Sequence, residues 1–191
     1  MAHWVSGKVV ENHRWSERLY SLHVNAEIAP FEAGQFTKVG LQINGEIVGR
    51  PYSLVNAPQE QYLEFYFIVV LNGTLSARLA GLLPGEEVLI APQAAGFLKL
   101  SEVSPARHLY MLSTGTGIGP FLSILKTGNL WQRFERVVLV HAVRTVAELN
   151  YRGTIQQLAT ANPHQFCYIP FVSREPCAEA LSGRVPQAIT D

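Results

Sequence analysis

Four consecutive residues, Arg50-Pro51-Tyr52-Ser53, place a guanidinium, an aromatic ring and a hydroxyl on one short extended segment. Such a set can grip a large, flat, anionic ligand. Arg50 would pair bidentately with a phosphate, Tyr52 would lie against a conjugated ring, and Ser53 would hydrogen-bond a polar ring edge. On a strand, Arg50 and Tyr52 share one face and Ser53 takes the other. The same residues also suit an ordinary barrel strand with a snorkelling arginine and a core tyrosine.

Asn72-Gly73-Thr74-Leu75-Ser76 adds a turn that opens a helix, where unpaired backbone N–H groups beside hydroxyls attract phosphate. A self-capped helix, with Thr74 or Ser76 satisfying those donors, reads equally well. Further on, Ser113-Thr114-Gly115-Thr116-Gly117-Ile118-Gly119-Pro120 separates an apolar run from an apolar helix. Its glycines permit positive φ and close backbone approach, Pro120 suits a first helical turn, and a dinucleotide pyrophosphate would rest on that helix start. The spacing is neither GxGxxG nor a Walker loop, and a plain strand-to-helix turn has the same residues.

Three arginines complete the set. Arg144 and Arg174 directly follow two predicted parallel strands, and Arg184 lies a little beyond, so they project from the carboxyl edge where such sheets bind ligands. Converging cations suit a ribose 2′-phosphate, which favours NADP over NAD. The acidic residue expected for a free 2′-hydroxyl is absent from 143–146, and Glu148 fits a capping box with Thr145. Three unrelated solvated arginines remain the alternative.

Other reactive residues organise nothing. His3, His13, His23, His108, His141 and His164 show no paired ligand spacing, so ordinary strand and surface positions are expected. Ser113, Ser123 and Ser173 sit in no GxSxG elbow. Cys167 and Cys177 are too few for a disulfide framework or a metal site.

These residues need two kinds of scaffold. Over 1–104, short β-branched runs broken by Gly, Pro and Asn predict strands at 5–12, 19–24, 35–41, 50–55, 63–70 and 87–91, with Asn44-Gly45 as the hairpin turn. Six short strands favour closure into a small barrel. One short helix interrupts them, capped by Thr74 and ended at Gly81. Over 105–191 strands and helices alternate: strands at 108–113, 137–143 and 166–172, a helix at 118–126, and helical turns within 147–160 started by the pairs Thr145/Glu148 and Thr154/Gln157. That order gives a parallel sheet with right-handed crossovers, half of a doubly wound nucleotide-binding domain. The last residues look like the start of another helix, and the chain is expected to be a fragment or a severely shortened form.

The 191 residues carry 15 Lys plus Arg against 15 Asp plus Glu, and 48% are hydrophobic. A large core is affordable, and nucleic acid is not the expected partner. No apolar run approaches the roughly 20 residues that cross a bilayer, and no secretory segment opens the chain, so a cytoplasmic protein without membrane insertion is expected. Lys99, Arg107, Arg133 and Arg136 are the residues available for a local basic patch.

Taken jointly, the Arg50–Ser53 segment, the Gly73-Thr74-Leu75-Ser76 turn and the Gly115-Thr116-Gly117-Ile118-Gly119-Pro120 loop resemble the ferredoxin–NADP reductase family, above all its bacterial flavodoxin/ferredoxin members. Ala33-Gly34-Gln35-Phe36-Thr37-Lys38, Leu63-Glu64-Phe65-Tyr66, Ala94-Ala95-Gly96-Phe97 and Val172-Ser173-Arg174-Glu175 extend the likeness over essentially the whole chain. The resemblance implies a six-stranded, Greek-key FAD-binding barrel followed by an α/β Rossmann-like NADP-binding domain. It implies hydride transfer between nicotinamide C4 and flavin N5, then one-electron delivery to ferredoxin or flavodoxin by a monomeric enzyme.

By the same resemblance, Arg50 would hold the FAD pyrophosphate, and Pro51, where close relatives carry another residue, counts among the cofactor-binding residues. Tyr52 would lie against the isoalloxazine and Ser53 beside N5, as candidate catalytic residues. Tyr66, Thr74, Leu75 and Ser76 would complete the flavin site, with Thr116 reaching it from the second domain. Val143, Arg144, Ser173, Arg174 and Arg184 would surround the 2′-phosphate of NADP(H). Family members continue past the position of Asp191 with a strand carrying a Cys-Gly-Asn-Pro-like segment and a tail that covers the flavin. Two other readings compete: a reductase component that feeds an oxygenase or cytochrome, and a flavin-binding electron-transfer subunit that never meets NADP.

Overall fold

The structure is a computed structural model, described here for residues 3–184. β-branched and aromatic residues in alternation build β1 (Val5–Arg14), β2 (Leu19–Asn25), β3 (Phe36–Ile43), β4 (Glu46–Ser53), β5 (Leu63–Ile68) and β6 (Glu87–Ile90), with α1 (Ser76–Ala80) between the last two. They form one antiparallel sheet in the order β4-β3-β6-β1-β2-β5. Past the end of β4 the chain crosses to the far edge: Leu54 bridges Phe65, and Val55 N–H donates to Glu64 C=O at 2.9 Å. The two edge strands thereby meet, and the sheet closes into the expected barrel. Leu22, Val24, Val39, Leu54, Phe65 and Ile90 fill it.

Asn44 (φ 52°) and Gly45 (φ 84°) both take the left-handed conformation that a two-residue hairpin between β3 and β4 requires. Thr74 is not the cap of α1. Leu75 holds that position without a side-chain bond, while the Ser76 hydroxyl accepts the Val70 N–H at 3.0 Å and ties the turn back to β5. Asn12 fixes the other end of α1, its amide donating to the carbonyls of Leu79, Ala80 and Leu82.

Beyond the barrel, β7 (His108–Thr114), β8 (Arg136–Val143), β9 (Phe166–Val172) and the two-residue β10 (Leu181–Ser182) make a parallel sheet in the order β10-β9-β8-β7. β10 was not expected, because two exposed residues leave no periodicity to read. The predicted helix at 118–126 is a tight turn over Gly115–Ile118 followed by α2 (Gly119–Leu125), and α3 (Gly128–Arg133) follows. Neither capping box forms. Glu148 bonds the N–H of Arg144 rather than that of Thr145, and Thr154 lies inside α4 (Arg152–Ala161), whose N-cap is Tyr151. The helix expected at the end of the chain falls on 185–191, outside the described residues.

Barrel and α/β half share one core. Leu19, Val55 and Tyr66 of the former pack with Ile118, Leu122 and Tyr151 of the latter. The junction is therefore apolar and close-packed, a rigid seat for a site between the sheets. No described helix is long and apolar enough to cross a membrane.

Candidate functional site

Two clefts open along this junction. The first, of about 680 Å³, lies on the barrel side. β4 contributes Arg50, Pro51, Tyr52 and Ser53, and all four line it. Strand alternation placed Ser53 on the opposite face from Arg50 and Tyr52; it reaches the same cleft because β4 ends there and the chain turns toward β5. Pro51 is exposed on β4, which pairs with β3 on one side, so its missing N–H leaves no ladder bond unmade.

Arg50 is exposed, and its Nη1 donates to the Gly49 carbonyl at 2.8 Å, which leaves donors of the fork for an anion. Tyr52 is half-buried with its ring edge-on to Phe67 at 5.8 Å. Burial raises its phenol pKa, opposed by the Arg50 charge, so the ring is neutral at physiological pH. Opposite β4, the turn with Asn72 at φ 61° brings Gly73, Thr74, Leu75 and Ser76 into the cleft wall. The start of α1 has no side-chain cap, and its first residues Leu75 and Ser76 line the cleft.

The second cleft, of about 500 Å³, lies at the carboxyl edge of the parallel sheet. Val143 and Arg144 enter from the end of β8, Ser173 from the end of β9, and Arg184 from beyond β10. Ser173 Oγ donates to the Val143 carbonyl at 3.1 Å, which locks the two strand ends together. Arg174 lines an adjoining hollow of about 290 Å³, and Arg144 lines both spaces. The structure thus brings four of the five residues predicted here to one cleft and sets the fifth next door.

Tyr66, Ile68 and Thr116 line both clefts, so the two spaces meet at a wall made from β5 and the glycine turn. Gly115 at φ +51° makes that turn possible, and its carbonyl lies 3.1 Å from His141 Nε2. His141 is fully buried, with Nδ1 3.4 Å from the Tyr168 hydroxyl. Burial lowers its pKa to about 4, so the ring is neutral and Nε2–H donates to Gly115. Sequence reading grouped His141 with ordinary histidines. Only its place within an apolar strand hinted at a specific buried bond.

Volume and donors fit a dinucleotide-sized cofactor. Ligand pockets run to roughly 300–1,000 Å³, and the first cleft joins a guanidinium, an uncapped helix start and two phenol rings. The second adds Arg144 and Arg184 for a phosphorylated partner. Other expectations resolve plainly. Ser113 and Ser123 spend their hydroxyls on the carbonyls of Val140 and Asn56. Lys99 and Arg107 are paired with Glu32 and Glu135, and Arg133 bonds the carbonyls of Leu100 and Val103, so no bare basic patch forms from them. No group of metal ligands occurs among the described residues.

The oxidoreductase NAD-binding domain family matches residues 111–191. The flavodoxin/ferredoxin–NADP reductase of Escherichia coli (strain K12) is 49% identical over 189 residues, 99% of this chain and 76% of the relative. The flavodoxin/ferredoxin–NADP reductase of Shigella flexneri shows the same identity and coverage. Among solved structures, a ferredoxin NADP+ reductase from Neisseria gonorrhoeae with bound FAD and NADP superposes with TM-score 0.91 at 30% identity, over 100% of this chain and 77% of that one.

Proposed function

Because the chain belongs to the flavodoxin/ferredoxin–NADP reductase family, we propose that it exchanges electrons between NADPH and a ferredoxin or flavodoxin through FAD. The observation that carries this reading is the shared wall. A cleft suited to a flavin dinucleotide and a cleft suited to a 2′-phosphorylated nicotinamide dinucleotide meet at Tyr66, Ile68 and Thr116. A flavin-binding subunit without NADP would have no use for the second cleft and its arginines.

Within the first cleft Arg50, beside Pro51, pairs with the pyrophosphate, and Thr74, Leu75 and Ser76 present the start of α1 to it. Tyr52 and Tyr66 supply neutral rings for the isoalloxazine, with Ser53 beside its polar edge and Thr116 closing from the other half. In the second cleft Arg144 and Arg184, with Arg174 alongside, take the 2′-phosphate, and Val143 and Ser173 shape the strand ends beneath. FAD, when bound, supplies the exchange between two-electron and one-electron transfer. The chain's own residues would bind and orient the two dinucleotides and exclude water, and their contribution would be proximity, since both clefts meet over a packed apolar junction. Residues 1–104 act as the flavin-binding half and 105–191 as the NADP-binding half, in a monomeric cytoplasmic enzyme.

The test is reduction of added flavodoxin or ferredoxin by NADPH, with FAD present and absent. FAD-dependent reduction is expected. Reduction that ignores FAD, or none with either carrier, contradicts the reading.

A further inference from the structure

Tyr66 stands in the wall of both clefts, 6% exposed, and the atom that holds its ring comes from the other half of the molecule. Asn150 Nδ2 donates to the Tyr66 hydroxyl at 2.8 Å, across 84 positions of sequence. Asn150 is itself buried, in the connection that leads into α4.

What fixes Asn150 is its neighbour. Tyr151 takes φ 62°, a left-handed conformation that a bulky residue adopts only where its surroundings impose it. Its hydroxyl lies 2.5 Å from Ser21 Oγ and donates to Glu64 Oε1 at 2.7 Å, and both partners belong to the barrel. Trp15 Nε1 donates to the same Ser21 oxygen at 2.7 Å. The Tyr151 ring meets the Tyr66 ring edge-on at 5.1 Å. Two consecutive side chains therefore cross the junction, and the strained backbone between them sends one to the barrel wall and the other to the cleft tyrosine.

We propose that Asn150 is a positioning residue for the redox site: its bond to the Tyr66 phenol sets the tilt of the ring that both clefts share. The proposal rests on reading those clefts as the seats of FAD and NADPH. With the bond, the ring is pinned at its hydroxyl and along its edge. Without it, the ring keeps its apolar packing and its edge contact with Tyr151 but loses the tether at its hydroxyl, so the plane against which a flavin stacks can tilt. Burial pushes the Tyr66 phenol up to about 12, so the ring is neutral at working pH and Asn150 acts through geometry.

The experiment titrates the apo protein with FAD while flavin fluorescence and visible absorption are followed, in the native chain, Asn150→Ala, Tyr66→Phe and the double variant. Each single variant is expected to bind FAD, to leave the bound flavin brighter than in the native protein, and to shift its visible bands to the same degree. The double variant should match either single, because both substitutions remove one bond. At saturating NADPH, flavin reduction should slow about tenfold with KM within about twofold, since loss of orientation acts on the reacting geometry.

A purely structural role would lower the unfolding temperature of Asn150→Ala and leave its flavin spectrum native, and that result overturns the proposal. Additive shifts in the double variant overturn it too. Should Asn150→Ala fail to fold, Tyr66→Phe breaks the same bond from the other end, and native fluorescence there is equally fatal. A native chain that takes up no FAD instead defeats the cleft reading itself and removes the proposal's premise.

Discussion

The Arg144 guanidinium lies 3.3 Å from the carboxylate of Glu148, whose other oxygen accepts the Arg144 backbone N–H at 3.1 Å. One carboxylate thus orients and partly neutralises the cation at the mouth of the second cleft. Glu148→Gln keeps an oxygen for the backbone bond and removes the competing charge. Affinity for 2′-phospho-AMP should rise about two- to fivefold, as expected for loss of a half-exposed ion pair worth up to about 1 kcal/mol. Isothermal titration measures it, and weaker binding contradicts the assignment of Arg144.

Removing the cations themselves acts in the opposite direction. Arg144→Ala combined with Arg174→Ala should erase the preference for NADPH over NADH. Each charged hydrogen bond contributes about 1.5–3 kcal/mol, so with both removed kcat/KM for NADPH should fall at least about 100-fold while that for NADH stays near native. Equal losses with both nucleotides would show that these arginines do not read the phosphate.

Arg50→Ala removes the one guanidinium among the described residues that line the first cleft. FAD should then dissociate about 10- to 100-fold more readily, by the same magnitude for a charge-assisted bond. Equilibrium dialysis of the yellow protein checks this, and unchanged retention places the pyrophosphate elsewhere.

Stability responds to pH through His141. Its pKa falls from an ordinary 6.5 to about 4 on folding, so between those values the unfolded chain binds the proton first. The contribution is whole above 6.5 and is lost as pH falls toward 4, at up to about 1.4 kcal/mol per pH unit. Urea denaturation of the native chain should lose stability over that window more steeply than His141→Gln. Parallel pH profiles refute the assignment.

Two glycines with positive φ separate space from conformation. A Cβ at Gly34 would stand 1.8 Å from the Leu98 carbonyl oxygen, whereas at Gly115 nothing lies within 4 Å. Gly34→Ala should destabilise by about 3–5 kcal/mol, and Gly115→Ala by about 1–2 kcal/mol from its left-handed backbone alone. Thermal unfolding ranks the pair, and a reversed order is the failing result.

Much of this architecture was legible where the signal is local. β-branched and aromatic runs at 19–24 and 63–70 mark barrel strands, Asn44-Gly45 marks the hairpin, and 137–143, apolar but for His141, marks a strand buried on both faces. Local spacing misled where a distant partner competes. Thr74 and Thr154 satisfy capping rules on paper, yet Leu75 holds the cap position of α1, with Ser76 engaged by Val70, and α4 begins at Arg152 behind the cap residue Tyr151. Most opaque were the long-range bonds. Asn12 to α1 within the barrel, and Asn150 to Tyr66 and Tyr151 to Glu64 between the halves, join residues 67 to 87 apart, and no window of sequence contains both ends.

The most direct test needs no carrier protein. The chain is loaded with FAD, freed of oxygen, and mixed with NADPH or NADH while the flavin absorbance is recorded. Meeting clefts predict bleaching by NADPH that is far faster than by NADH. FAD that binds yet stays oxidised with NADPH, or bleaches equally with both, would contradict a shared wall at Tyr66 and Thr116 between flavin and phosphorylated nicotinamide.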